Sequence, residues 1–162
     1  MKTLVIGLGN PILGDDGVGW KVAQEVERQL KTRPRVDEES IIEIDCLSLG
    51  GLSLMERLTD AQRVILVDAI FTGENPPGTV KTFPLSDLPN PTAGHSASAH
   101  DTSLRTALNV GRSMNISLPD DDQIMIVSIE AHSDYDFSED LSAPVAAAVP
   151  LAVRSVIAQL SL

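Results

Sequence analysis

The stretch GLGNPILGDDGVG, residues 7–19, follows the apolar run Leu4–Ile6 and leads into a segment with helical periodicity. A strand, a glycine-rich turn and a helix in that order begin many nucleotide-binding α/β folds. The dinucleotide fingerprint needs glycine at all three positions of G-x-G-x-x-G, and the third position here is Ile12. Asp15 and Asp16 would also repel a phosphate group. The turn therefore predicts the start of an α/β fold, but not a dinucleotide site.

Strands and helices are predicted to alternate along the rest of the chain. Asp45 and Asp68 close the second and third of five predicted strands, which lie near 4–6, 41–45, 64–68, 78–83 and 124–129. Apolar residues at helical spacing predict helices near 18–30, 52–58, 103–114 and 143–160. This order predicts a single three-layer α/β domain over residues 1–162. Its twisted, mainly parallel sheet has about five strands, with helices on both faces.

The composition excludes several classes of partner. A formal net charge of −11 and a pI near 4.5 oppose binding to DNA, RNA or an anionic membrane. The single cysteine, Cys46, cannot form an internal disulfide and is expected to be a structural thiol. No apolar run reaches the roughly 18 residues of a membrane span. We therefore expect a cytoplasmic protein that binds neither nucleic acid nor membrane.

The two aspartates of the opening turn admit two interpretations. One of them would cap the helix that begins near Gly17, since aspartate is a favoured N-cap. Alternatively, Asp16 and Asp68 converge where parallel strands end, at the point where the strand order reverses. Two converging carboxylates repel each other unless a cation lies between them. With an imidazole from His95 or His100 they would suit a divalent ion such as nickel or zinc.

Several segments resemble the [NiFe]-hydrogenase maturation endopeptidases, and they occur in that family's order. The segments are 1–24 (MKTLVIGLGNPILGDDGVGWKVAQ), 64–70 (VILVDAI), 76–80 (PPGTV), 100–104 (HDTSL) and 140–160 (DLSAPVAAAVPLAVRSVIAQL). Peptidyl-tRNA hydrolases share the GLGNP turn, but they need a basic surface for tRNA and this chain is acidic. The resemblance therefore favours the maturation protease.

The resemblance implies an endopeptidase that removes the C-terminal extension of a hydrogenase large-subunit precursor after nickel insertion. It implies metal ligation by Asp16, Asp68 and His100. The nickel would be carried by the substrate, with zinc or cadmium as a surrogate. Asp16, Asp68 and Asp45 are the predicted catalytic residues. The predicted substrate-binding residues are Gly9, Asn10 and Asp45.

This chain departs from the family pattern at two places. Many members have glutamate at the position of Asp16, so the ligand here is shorter by one methylene. The family's Asp-Gly-Gly-Thr stretch is replaced by Asp45-Cys46-Leu47-Ser48, and the two glycines follow later, at Gly50 and Gly51.

Other aspects of the activity are left open by the sequence. A metal-bound water or Asp45 would serve as the base. A metal-site chaperone that does not cleave its partner shares all of these residues. We also expect a monomer, with the long loop 84–99 ordering on its partner.

Overall fold

Aliphatic and β-branched runs form the five strands of one sheet. The structure is a computed structural model that describes residues 1–33, 39–88, 99–132 and 136–160, without the side chains of 99–103. The strands are β1 (Lys2–Leu8), β2 (Ile41–Leu47), β3 (Arg63–Ile70), β4 (Val80–Pro84) and β5 (Ile124–Glu130). Their order is β2-β1-β3-β5-β4, and only β4 runs antiparallel to its neighbour. The predicted mainly parallel sheet of about five strands is confirmed.

The helices cover both faces of this sheet, as predicted. They are α1 (Val18–Lys31), α2 (Gly51–Arg57), α3 (Ala99–Ser113) and α4 (Ala143–Gln159). Helices α1 and α4 pack with Val5, Ile65 and Val67 on one face, whereas α2 and α3 pack with Leu4 and Ile6 on the other. Each fully buried aliphatic side chain stabilises the fold by about 1.5–3 kcal/mol. The two aliphatic layers therefore account for most of the favourable free energy of folding.

Two strands continue beyond the acids that were expected to close them. β2 runs on to Leu47 and β3 to Ile70, so Asp45 and Asp68 lie inside strands. Main-chain pairing continues through both residues, since Asp45 is opposite Ile6 and Asp68 is opposite Ser128. The predicted strand ends were wrong because a carboxylate on one face does not interrupt hydrogen bonding by the backbone.

Other boundaries also differ from the prediction. In the part of the chain that the structure describes, 3₁₀ turns that were not predicted lie at Gly14–Gly17, Leu85–Asp87 and Asp121–Gln123. α3 begins at Ala99, four residues before the predicted start at Ser103. Of the predicted loop 84–99, residues 89–98 lie outside the described residues.

Close backbone contacts press α1 against the sheet at the carboxyl ends of β1 and β3. A Cβ atom built on Gly19 would lie 2.4 Å from the carbonyl oxygens of both Leu8 and Val67. One built on Gly7 would lie 2.3 Å from the oxygen of Gly19. Glycine is needed at both positions because any side chain would separate the helix from the strands. The opening glycines thus bring the first turn of α1 to the edge where β1 and β3 end.

Candidate functional site

The opening turn holds Asp16 against the end of β1. The Asn10 N–H donates a hydrogen bond to Asp16 Oδ2 at 2.8 Å. Gly9 has a φ of +130°, and a Cβ atom there would lie 1.8 Å from the backbone oxygen of Asp16. Ser48 Oγ donates to the Gly9 oxygen at 2.6 Å, which ties the turn to the residue following β2. The Asp16 carboxylate is half-buried and oriented by a backbone N–H.

Asp15 fastens the same turn to the start of α4. Its Oδ1 accepts the Ser142 N–H at 2.7 Å, and its Oδ2 accepts the Ser142 hydroxyl at 2.8 Å. Ser142 is the N-cap residue of α4. The N-cap of α1 is Gly17, and it has no side-chain capping bond. The expectation that Asp15 or Asp16 caps α1 was therefore wrong, because both carboxylates have other partners.

Asp68 lies on the sheet face that α2 and α3 cover. It alternates with Val67, which faces α1 and α4, and its side chain is 1% exposed. The carbonyl of Val67 lies against Gly19, and the turn Gly14–Gly17 contacts β3. The segments carrying Asp16 and Asp68 therefore meet where the strand order reverses between β1 and β3. Metal ligation by these two residues stays a prediction.

The structure describes the side chain of neither predicted histidine ligand. His100 lies in the first turn of α3, a helix on the same face of the sheet as Asp68, but its side chain is not described. His95 lies outside the described residues. Among the side chains that are described, no three His, Cys, Asp or Glu residues come close enough to hold a metal ion. The predicted trio of Asp16, Asp68 and His100 stays a prediction.

Asp45 belongs to a cluster of charges that joins α2 to β2. Arg57 Nε donates to Asp45 Oδ2 at 2.5 Å, and Arg57 Nη2 donates to Glu43 Oε2 at 2.8 Å. Lys2 Nζ lies 3.3 Å from Glu43 Oε1. The hydrogen bond from Arg57 lowers the pKa of Glu43 despite some desolvation, and the bonds to both acids raise the pKa of Arg57. These contacts explain Asp45 structurally, while its predicted catalytic and substrate-binding roles stay predictions.

Cys46, the next residue, has a thiol with a raised pKa. Burial is the main cause, and the negative charges of Glu27 and Asp45 add to it. The thiol donates weakly to the Trp20 carbonyl at 3.8 Å. A raised pKa keeps the sulfur protonated at neutral pH. This agrees with the expected structural role.

Glu130 is a buried acid that sequence reasoning missed. It is 2% exposed, at the end of β5 and on the same face as Asp68. Its Oε2 accepts the Thr72 N–H at 3.0 Å, and its Oε1 accepts the Thr72 hydroxyl. The backbone of Glu130 also pairs with Gly78 and Thr79. Glu130 therefore fixes both ends of the loop 71–79 beside Asp68. The sequence signal that could have identified Glu130 is its position as an acidic residue at the end of the mostly apolar strand β5.

The architecture is that of an open, doubly wound α/β protein with acidic residues at its switch point. The description of the family model that matches residues 20–159 is hydrogenase maturation protease. The chain therefore belongs to the hydrogenase maturation protease family, and the resemblance seen in its sequence is confirmed. The predicted enzyme class, peptidase, agrees with this family's description. The match includes Asp45, Asp68 and His100 but begins after Asp16.

Individual relatives agree with that assignment. The chain is 35% identical over 103 residues to a predicted hydrogenase maturation protease of Methanocaldococcus jannaschii, covering 62% of the chain and 61% of the relative. It is 26% identical to the hydrogenase expression/formation protein HupD of Rhizobium leguminosarum, covering 96% of the chain and 72% of the relative. The chain thus spans less than two thirds of the M. jannaschii protein.

A solved structure shows the same fold. The hydrogenase maturating endopeptidase HybD of Escherichia coli superposes with a TM-score of 0.73 at 24% identity, covering 99% of this chain and 93% of that one. At this identity the likeness supports the architecture alone. Among the residues that the structure describes, no helix is both long and apolar enough to cross a membrane.

Proposed function

We propose that this chain is an endopeptidase that removes the C-terminal extension of a [NiFe]-hydrogenase large-subunit precursor after nickel insertion. The observation that carries the proposal is the family match over residues 20–159. The relatives' names add hydrogenase maturation as the process. We further propose that the protein acts as a monomer in the cytoplasm, without nucleic-acid or membrane partners.

The proposed recognition element is the nickel ion in the precursor. Its ligands on this chain are Asp16, Asp68 and His100, with zinc or cadmium as surrogates. The donor chemistry fits, since two carboxylates and one imidazole suit a borderline divalent ion and leave positions for the substrate's own ligands. Support comes from the convergence of the Asp16 turn with β3 and from α3 lying on the face that carries Asp68.

The geometry favours different roles for different residues of this chain. The Asn10 N–H holds the Asp16 carboxylate in one orientation, so little side-chain freedom is lost when a ligand binds. Gly9 and Asn10 form the adjacent edge, where we place the peptide next to the scissile bond. A bound divalent ion supplies carbonyl polarisation and an activated water. Asp45 remains the alternative base, but its bond to Arg57 would have to be released first.

Single substitutions test the ligand set. Asp16→Asn, Asp68→Asn and His100→Ala should each slow cleavage of nickel-loaded precursor by at least about a hundredfold, since each removes a ligand. Asp122→Asn is the matched control. This exposed acid lies just before β5, at the amino ends of the parallel strands and so at the opposite end from the site. The products are identified by intact-mass spectrometry. Undiminished cleavage by the His100 variant would refute the proposed recognition of the precursor's nickel by this ligand set.

Product analysis also separates the proposal from its alternatives. Stable binding of the precursor without loss of a peptide would instead indicate a metal-site chaperone. Retention of tRNA at moderate salt would favour a peptidyl-tRNA hydrolase, which the net charge of −11 opposes.

A further inference from the structure

Two exposed apolar side chains lie on paired backbone segments at the opening turn. Ile12 is 47% exposed and Phe137 is 85% exposed. Their segments are hydrogen bonded, with Gly14 N–H donating to the Ser138 oxygen at 2.8 Å and Ser138 N–H to the Ile12 oxygen at 2.9 Å. Leu13 and Ser138 are partners in a parallel bridge. Ile12 and Phe137 each lie one residue before this bridge, at neighbouring positions of the two paired segments. We call the two side chains the Ile12–Phe137 patch.

The patch is continuous with the candidate site. Ile12 lies between Asn10 and Asp16, which are hydrogen bonded to each other. The segment carrying Phe137 is fastened to the same turn a second time, through Asp15 and Ser142. The patch is therefore held at a fixed position relative to Asp16. A single exposed apolar residue is ordinary, but two adjacent ones beside a site suggest a contact for the site's ligand.

The surroundings of the patch are acidic. Asp136, Glu139 and Asp140 are all exposed and lie within three residues of Phe137. The sequence from 132 to 142 contains no lysine or arginine. An apolar contact within a negative field selects a partner segment of apolar and positive character. The same field would speed the approach of such a segment.

We propose that the Ile12–Phe137 patch docks a segment of the protein substrate in which a large apolar side chain is flanked by lysine or arginine. This inference rests on the proposed function, since it takes the hydrogenase large-subunit precursor as the substrate. The patch contributes no group to the reaction. It determines how tightly a precursor is held and which precursors are accepted.

Substitution of the larger side chain tests the apolar contact. Phe137→Ser should raise KM for nickel-loaded precursor about tenfold or more, as expected when the burial of one large apolar side chain is lost. The value of kcat should change less than twofold. Met114→Ser is the matched control. Met114 is 67% exposed but follows α3, near the amino ends of the parallel strands and so at the opposite end from the site. A KM for the Phe137 variant within twofold of wild type would overturn the proposal.

The charges are tested by salt dependence. Precursor binding to wild type should weaken as sodium chloride is raised from about 50 to 500 mM, since screening shortens the range of the field. The triple variant Asp136→Asn, Glu139→Gln, Asp140→Asn should lose most of that dependence. An unchanged salt dependence in the triple variant would contradict the proposed cationic partner.

Calorimetric binding of the same precursor distinguishes this inference from the proposed function. If wild type binds without cleaving, the proposed function fails, yet weaker binding by Phe137→Ser still supports the patch. If wild type does not bind the precursor, both proposals fail. A wild-type dimer that Phe137→Ser converts to a monomer in sedimentation would assign the patch to a second copy, and would overturn the proposal.

Discussion

The bonds from Asp15 to Ser142 should contribute strongly to stability, although Asp15 has no part in the proposed chemistry. They join the opening turn to a helix start that is 127 residues away in sequence. Asp15→Ala removes both acceptors and leaves the Ser142 N–H and hydroxyl without a partner on this side chain. Asp16→Ala removes one acceptor, for Asn10 N–H.

The expected magnitudes follow from the number and kind of these bonds. A hydrogen bond to a charged group contributes about 1.5–3 kcal/mol. The two bonds share one ordered carboxylate, so we expect Asp15→Ala to lower the free energy of unfolding by about 3 kcal/mol. In a chain of this length that corresponds to a fall in Tm of about 6–12 °C.

A double-mutant cycle in urea measures the interaction directly. Ser142→Ala should cost about 1 kcal/mol, because it removes only the hydroxyl and leaves the backbone bond in place. In the Asp15→Ala background the same change should cost almost nothing, which gives a coupling energy of about 1 kcal/mol. Additive effects, or a loss below about 0.5 kcal/mol for Asp15→Ala, would refute this account of the turn.

Three further predictions concern the surroundings of the site. Gly9→Ala should lower the free energy of unfolding by about 3 kcal/mol, because its Cβ atom would clash with the backbone of Asp16. Gly73→Ala should lower the free energy of unfolding by only about 1 kcal/mol, since φ is also positive at Gly73 but no other atom lies within 4 Å of a Cβ atom built there. Equal losses for the Gly9 and Gly73 variants in urea titrations would contradict this reasoning. The pKa of Glu43 is lowered in the fold, so its contribution is complete above the ordinary value of 4.5 and is lost as pH falls through the folded pKa. Glu43→Gln should therefore flatten the acid limb of the stability–pH curve, and an unchanged limb would count against the Arg57 cluster. Alkylation of Cys46 by iodoacetamide at pH 8 should be slower than that of free cysteine, because burial raises the pKa of the thiol; a rate equal to the free amino acid's would show otherwise.

Local patterns were sufficient for most of the fold. The runs around Val5, Ile65 and Ile126 are apolar because those strands are covered on both faces, and such runs are visible in sequence. The edge strand β4 was predicted from its alternating polarity, which reflects a half-exposed position. The strand ends at Asp45 and Asp68 were misplaced, because an acid on one face does not end a backbone ladder.

The site was less accessible to such reasoning, because its decisive contacts are not local. Asp15 looked like a cap for α1, and nothing near it in sequence indicates Ser142 as its partner. Glu130 was overlooked because its partner Thr72 lies in another loop, 58 residues earlier. Arg57, which binds Asp45, is the last residue of α2 and lies 12 residues later in the chain. Asp16, Asp45 and Asp68 were found from their positions near strand ends, whereas their partners required the fold.

The most direct test of the proposed function is mass spectrometry of a candidate hydrogenase large-subunit precursor after incubation with this protein. Nickel-loaded and nickel-free precursor are compared under otherwise identical conditions. We predict that a C-terminal peptide is lost from the nickel-loaded sample alone, which would establish both the peptidase and its dependence on the metal. Equal cleavage of both samples would contradict recognition through nickel, and no cleavage of the bound, nickel-loaded precursor would contradict the peptidase.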